Sequence, residues 1–185
     1  LGSAARVAVY DPATDAWTPI FGGQFDAGEV HLIAVDNQFA YVRGYSRSNR
    51  QTRIVKVDLD NVLDPQTLHV RDGLDDDRKE PGATDGTNLY YWTRRDDGHR
   101  LVSLSTEGGN PVQLLNTAFG PGLTYNDGFL YWARNEQNIV KLPVGGGTIT
   151  PVRGGIYATA AIGGIPIDDT SAYVAVVASR KEIQI

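Results

Sequence analysis

Leu130-Tyr131-Trp132, then Ile139-Val140-Lys141-Leu142, then Gly145-Gly146-Gly147 form a near copy of an earlier stretch. The earlier version reads Tyr90-Tyr91-Trp92, Leu101-Val102-Ser103-Leu104 and Gly108-Gly109; matching the tryptophans sets Tyr91 and Tyr131 40 residues apart. Weaker echoes stand at Tyr41-Val42, 50 residues before Tyr91, and at Tyr173-Val174, 42 residues after Tyr131. Short strands and tight turns recurring at such a period are the mark of a β-propeller array.

Each unit reads in four parts. An apolar strand such as Leu32-Ile33-Ala34-Val35 ends in a small turn at Asp36-Asn37. An aromatic strand follows: Phe39 to Val42, Leu89 to Trp92, Phe129 to Trp132, or Ala172 to Val176. The third strand is Arg53 to Val57, Arg100 to Leu104, or Asn138 to Leu142, and the fourth is Leu68 to Val70, Pro111 to Leu115, or Ile149 to Val152. In the third strands Ile139 and Lys141 face opposite to Val140 and Leu142, the two-residue period of a strand. Asp85-Gly86, Asn126-Asp127-Gly128, Gly108-Gly109 and Gly145 to Gly147 supply the positive φ angles that tight hairpins need. One such sheet cannot bury its own faces, so the second-strand aromatics, Trp92 and Trp132 included, belong between stacked sheets. Trp17 stands just before a strand and is expected to be partly exposed.

The expected fold class is therefore all-β: an arc of four-stranded antiparallel blades, three complete and two partial. The complete blades cover residues 29–71, 81–116 and 121–153, with partial blades at 1–22 and 157–185. Val7 to Tyr10 with Thr18 to Ile20 match Ile139 to Leu142 with Thr150 to Val152, and Ile183-Gln184-Ile185 match Val140 to Leu142. Both ends thus fall on third strands, which points to an arc of a ring of six to eight blades rather than a closed four-bladed ring. The chain has no methionine, so it is expected to be a piece of something longer.

Composition bounds the function. With 41% hydrophobic and 21% charged residues the chain is globular, and 21 glycines suit a turn-rich β protein. A net charge of −5 gives no general basic field for nucleic acid. No apolar run is long enough to span a bilayer as a helix. The chain contains no cysteine, which removes disulfides, thiolate metal sites and cysteine nucleophiles together.

Tyr91-Trp92-Thr93 and Tyr131-Trp132-Ala133, each followed by an Ile/Val strand and a glycine turn, resemble the YWTD class of propeller repeats. Leu142-Pro143-Val144-Gly145-Gly146-Gly147 resembles the turn of that class's bacterial relatives. Arg94 and Arg134 stand where the YWTD tetrad has its aspartate. Tyr10-Asp11-Pro12-Ala13-Thr14-Asp15-Ala16-Trp17 is similar to the turn of a kelch repeat. The resemblance implies an extracellular or periplasmic propeller used mainly for protein binding.

No catalytic signature is present: no G-x-S-x-G, no H-E-x-x-H, no Walker loop and no dinucleotide-binding fingerprint. Asp72, Asp75, Asp76, Asp77 and Glu80 crowd one loop and are the best candidate ligands for Ca²⁺, which takes several oxygens. Arg71, Arg78 and Lys79 partly neutralise them. Asp58 to Asn61 reads as a turn closed by Asx bonds. His31, His69 and His99 fall on a first strand, a fourth strand and a loop. Arg43, Arg47, Arg50 and Arg53 are placed in a loop between second and third strands, sharing one face of the propeller with Arg94, Asp96, Asp97, His99 and Arg134. Arginine's planar fork suits carboxylates and protein surfaces, so Arg43, Arg47, Arg50, Arg94, Asp96, His99 and Arg134 are the candidate partner-binding residues. The expected role is a binding or sensor module for a protein, peptide or glycan. The alternatives are a metal-dependent hydrolase or lyase working in the central channel, and an assembly component completed by another chain.

Overall fold

The computed structural model describes residues 8–11, 13–19, 30–46, 48–62, 64–73, 82–95, 98–117, 119–134 and 138–154. The chain opens on a hairpin of β1 (Ala8–Asp11) and β2 (Ala16–Pro19). Three antiparallel four-stranded sheets follow, each a meander in sequence order. The first holds β3 (Val30–Val35), β4 (Phe39–Ser46), β5 (Gln51–Asp58) and β6 (Gln66–Asp72). The second holds β7 (Ala83–Thr84), β8 (Asn88–Arg95), β9 (Gly98–Ser105) and β10 (Val112–Asn116). The third holds β11 (Thr124–Asn126), β12 (Phe129–Arg134), β13 (Asn138–Pro143) and β14 (Thr150–Gly154). Trp17 lies within β2, one residue after its start, rather than ahead of a strand. The partial blade expected at 157–185, including Ala172 to Val176 and Ile183 to Ile185, lies outside the described residues. Among the described residues no helix is long and apolar enough to cross a membrane.

Alternation along the strands gives each sheet two apolar faces, and neighbouring sheets bury them against each other. Between the first two sheets lie Ile33, Tyr41, Ile54 and Leu68 against Leu89, Tyr91, Val102 and Leu104. Between the second and third lie Tyr90, Trp92 and Leu101 against Leu123, Leu130, Trp132, Val140 and Leu142. The other face of the first sheet carries Ala40, Val42, Val55 and Val57, all buried. The short strand β7 lies beside β3 on one side and β11 on the other, so first strands converge innermost while β6, β10 and β14 lie outermost. The Gly82 N–H donates to the Ile33 carbonyl at 2.6 Å where these inner strands meet. A Cβ at Gly82 would collide with the Tyr90 carbonyl and the Ile33 side chain, so the approach requires glycine.

The packing fixes the repeat register, and it differs by one residue from the match made on tryptophans. Leu89 and Tyr91 face the preceding sheet, as do Leu130 and Trp132, whereas Tyr90 and Trp92 face the following one. Cross-strand partners agree: Val42 pairs with Val55, Tyr91 with Val102 and Trp132 with Val140. Tyr41, Tyr90 and Tyr131 are therefore equivalent, with Tyr90 and Tyr131 41 residues apart. Trp92 and Trp132 are not equivalent. Both are core, as expected, but they meet edge-on across one interface with ring centroids 5.8 Å apart. A one-residue slip reverses every face of a strand, and the run Tyr90-Tyr91-Trp92 disguises that slip in sequence.

The turn between first and second strands carries a device that the corrected register exposes. Asp36 Oδ1 accepts the N–H groups of Gln38 (2.9 Å) and Phe39 (2.7 Å), and its Oδ2 accepts the Tyr41 hydroxyl at 2.9 Å. Asp85 repeats the arrangement with Thr87 (2.8 Å), Asn88 (2.6 Å) and the Tyr90 hydroxyl (2.6 Å). The third sheet has Asn126 at this position and closes instead with Asp127 and Gly128, at φ 44° and 77°. Each fourth strand also bears a bulge at the equivalent residue: Leu68, Leu114 and Val152 each stand between shifted registers. The glycine turn of the next sheet seats on it, the Gly109 N–H donating to the Leu68 carbonyl at 3.1 Å. Of the triplet at 145–147, Gly146 and Gly147 carry the positive φ and Gly145 does not. The expected Asx turn is present, with the Asp60 N–H donating to Asp58 Oδ1 at 2.9 Å.

Candidate functional site

A groove of about 490 Å³ opens between the first two four-stranded sheets. Alternation decides which side chains reach it. Thr52 and Ile54 on β5, His69 and Arg71 on β6, Tyr91 and Thr93 on β8, and Arg100 and Val102 on β9 all point into this one interface. The bulge at Leu68 restores His69 and Arg71 to the groove side after shifting the strand by one residue. Asn110, Pro111 and Gln113 close it from the β9–β10 turn and the start of β10.

Its polar groups are held in place. Arg71 Nη1 donates to Thr93 Oγ1 at 3.3 Å, a bond that spans the two sheets. Thr52 Oγ1 donates to the Gly73 carbonyl at 2.9 Å. His69 Nδ1 donates to the Gly109 carbonyl at 3.0 Å, which leaves Nε2 as the acceptor nitrogen. Asp72, the carboxylate of the lining, accepts from the Gln51 amide at 3.1 Å and is exposed. Deeper between the same sheets, Arg43 Nη1 donates to the Trp92 carbonyl at 3.4 Å. At the opposite end Lys56 Nζ reaches the Thr106 carbonyl (2.9 Å) and Glu107 (3.4 Å).

The residues singled out from sequence are distributed differently from expectation. Arg43 and Arg53 do not belong to a loop: β4 extends to Ser46 and β5 begins at Gln51, so both are strand residues, and Arg43 is buried. Its position is one at which strand alternation turns the side chain into the inter-sheet contact. Arg50 is exposed in the turn that remains, at φ 52°, and its carbonyl accepts the Gly73 N–H at 2.7 Å. Arg94 is exposed at the end of β8, and Arg134 is half-buried at the end of β12. His99 lies on β9 rather than in a loop, half-buried with its ring 5.6 Å from Phe119. Arg47, Asp96 and Asp97 lie outside the described residues. So do Asp75, Asp76, Asp77 and Glu80, which leaves Asp72 as the described member of the acidic loop. Among the described residues no three His, Asp or Glu side chains come close enough to hold a metal ion.

Arg71, Arg100, Thr52 and Thr93, the groove's main polar residues, were not picked out from sequence as a site. The signal existed in the alternation Arg100-Val102-Leu104, which sets Arg100 on the face toward the preceding sheet. A second hollow of about 480 Å³ on the opposite side is lined by Asp36, Gln38, Phe39, Asp85 and Tyr125. Its carboxylates are engaged by their own turns and tyrosines. Burial favours the protonated Tyr90 hydroxyl, and the Asp85 bond and charge add to this, holding its pKa above the ordinary tyrosine value. Burial works against ionised Asp85, but the hydrogen bonds from Tyr90, Asn88 and Thr87 outweigh it and hold its carboxyl below the usual range.

No protein-family model matches the chain, and no curated protein matches it. Among solved structures it is similar to TolB from Acinetobacter baumannii, with a TM-score of 0.57 at 12% identity. That likeness covers 82% of this chain and 38% of TolB, so the chain spans well under half the length of that structure. It is also similar to the computationally designed Ika4 protein, with a TM-score of 0.50 at 12% identity, over 84% of this chain and 88% of that one. At such identity the likeness shows the fold alone: the chain is all-β, with three four-stranded antiparallel sheets arranged as in a β-propeller.

Proposed function

We propose that this chain is a binding module that holds an extended segment of a protein in the groove between its first two four-stranded sheets. One observation carries the reading: the groove joins hydrogen-bonding side chains to an apolar wall, and the sheets that form it are rigidly packed. Thr52, His69, Arg71, Thr93, Arg100 and Gln113 supply the polar groups, while Ile54, Tyr91, Val102 and Pro111 supply the apolar wall. Ligand sites commonly pair a largely apolar cleft with a few fixed polar groups. The upper mouth is formed by the ends of β6 and β8 and the starts of β5 and β9, beside exposed Arg50. In this reading the guest sits in one inter-sheet groove rather than across a loop face.

The absence of cysteine makes the test direct, because an introduced thiol is the sole labelling point. Gln113→Cys and Val152→Cys both lie on exposed positions of outer strands, the first on the groove and the second on the third sheet. Peptides selected from a displayed random library are then tested against each variant carrying a bulky maleimide. Retention should be lost with the Gln113→Cys label and kept with the Val152→Cys label. Failure to select any peptide, or equal retention by both labelled proteins, would remove the reading.

A further inference from the structure

We infer that Asp127-Gly128, the turn between β11 and β12, is a modification site at which the chain rearranges spontaneously to isoaspartate, loosening the glycine turn that rests against it. The inference stands apart from the groove and does not depend on it. Four Asp-Gly pairs occur in the sequence, at 72–73, 85–86, 97–98 and 127–128. Such pairs are the prone ones, because a glycine without a Cβ lets its backbone nitrogen approach the preceding carboxyl. Asp97 lies outside the described residues. The other three pairs differ in whether the two reacting groups, the aspartate carboxyl and the glycine N–H, are already held.

At 85–86 both are held. The carboxylate accepts Thr87, Asn88 and Tyr90, and the Gly86 N–H donates to Thr84 Oγ1 at 3.0 Å. At 72–73 the carboxylate accepts the Gln51 amide, and the Gly73 N–H donates to the Arg50 carbonyl at 2.7 Å. At 127–128 neither group has a hydrogen-bond partner among the described residues, and Asp127 is exposed. Asp127 also holds φ 44°, a left-handed backbone that a residue with a side chain adopts at some cost, so opening the turn relieves strain. The step needs no co-reactant but water. The Gly128 nitrogen attacks Asp127 Cγ in the protonated carboxyl; the N–Cγ bond forms, and the N–H proton leaves with the carboxyl hydroxyl as water. Water then adds to the backbone carbonyl carbon of Asp127 and breaks its bond to the Gly128 nitrogen. The chain now continues through Cγ, one carbon longer, with no net change in mass. Only Asp127 and Gly128 separate the paired residues Asn126 and Phe129, and so tight a turn cannot absorb an added carbon. The Gly128 carbonyl accepts the Val144 N–H at 3.0 Å, which ties this turn to the start of the glycine turn at 145–147. Rearrangement at Asp127 therefore releases that turn as well.

The test incubates the folded chain in warm neutral buffer, labels it with a protein-isoaspartate methyltransferase and a radioactive methyl donor, and maps the label by peptide. The peptide containing Asp127 should carry at least about tenfold more label than those containing Asp72 or Asp85, since two hydrogen bonds must open first at each of these. Asp127→Gly, which removes the carboxyl and suits the positive φ, should lose that label. Exchange of the Val144 amide should quicken in the incubated chain and stay unchanged in incubated Asp127→Gly. The map of the unaltered chain decides the site by itself, so a disturbed variant would not shelter the inference. No label at Asp127, or equal or greater label at Asp72 or Asp85, overturns the site. An unchanged Val144 amide in a chain labelled at Asp127 overturns the release of the glycine turn.

Discussion

Asp85 shows how much one side chain decides. A turn of this shape leaves backbone N–H groups pointing inward with no strand partner, and a short carboxylate two or three residues back satisfies them. Asp85 does this with one oxygen and anchors the Tyr90 hydroxyl with the other, tying the turn to the aromatic that fills the next interface. Asp85→Ala strands three donors and should cost about 1–3 kcal/mol in denaturant unfolding. The pH dependence has a defined sign. A carboxyl held below its ordinary pKa in the folded chain adds stability above the unfolded value, and that stability is lost as pH falls through the folded one. Tyr90 acts at the other extreme: its raised pKa adds stability that is full below the ordinary tyrosine range and disappears as pH climbs past it. Asp85→Asn should therefore flatten the acid limb of the stability profile; an unchanged acid limb would refute the assignment. In the sequence Asp36, Asp85 and their turns were legible as turn formers. Their link to Tyr41 and Tyr90 was not, because a contact across five positions shows only when the hairpin is closed.

Strand identity was readable from alternation and turn residues, and the structure has the three four-stranded antiparallel sheets that such a reading implies. Strand ends were less so: β4 and β8 run beyond their aromatic cores because Arg43 and Arg94 still pair across the ladder, with Ile54 and His99 respectively. Arg43, Arg53 and His99 were read as loop residues, whereas they lie on β4, β5 and β9. Register was the hardest feature. The sequence offers two consecutive tyrosines before Trp92, and only packing decides which one matches Tyr131. The decision has a measurable consequence. Because Trp92 and Trp132 face each other edge-on, their truncations to alanine should be non-additive, with a coupling of about 0.5–1.5 kcal/mol in a double-mutant cycle. Strict additivity would instead support equivalent positions in separate interfaces. Among the described residues both indole N–H groups are buried without an acceptor, so their value here lies in bulk and shape.

For the molecule as a whole, stability is arranged in series. The middle sheet has a described neighbour on each face, with Leu89, Tyr91, Val102 and Leu104 against one and Tyr90, Trp92 and Leu101 against the other. Its inner strands should open last. In native-state hydrogen exchange, amides of β8 and β9 should be the slowest of the second sheet and those of outermost β10 much faster; a uniform pattern would contradict this. The array was legible because repetition is written along the chain. The groove was not, since it exists only where β6 and β9, roughly thirty residues apart, are brought face to face. The bulge at Leu68, Leu114 and Val152, with the glycine turn that settles onto it, has an implication beyond packing. The second and third repeats each carry both halves of the joint, the seat on the last strand and the glycine tongue before it. Copying one whole repeat in tandem would thus deliver a matched coupling at both ends of the insert, so that a chain of this kind can gain or lose a member through a single genetic event without inventing a new contact.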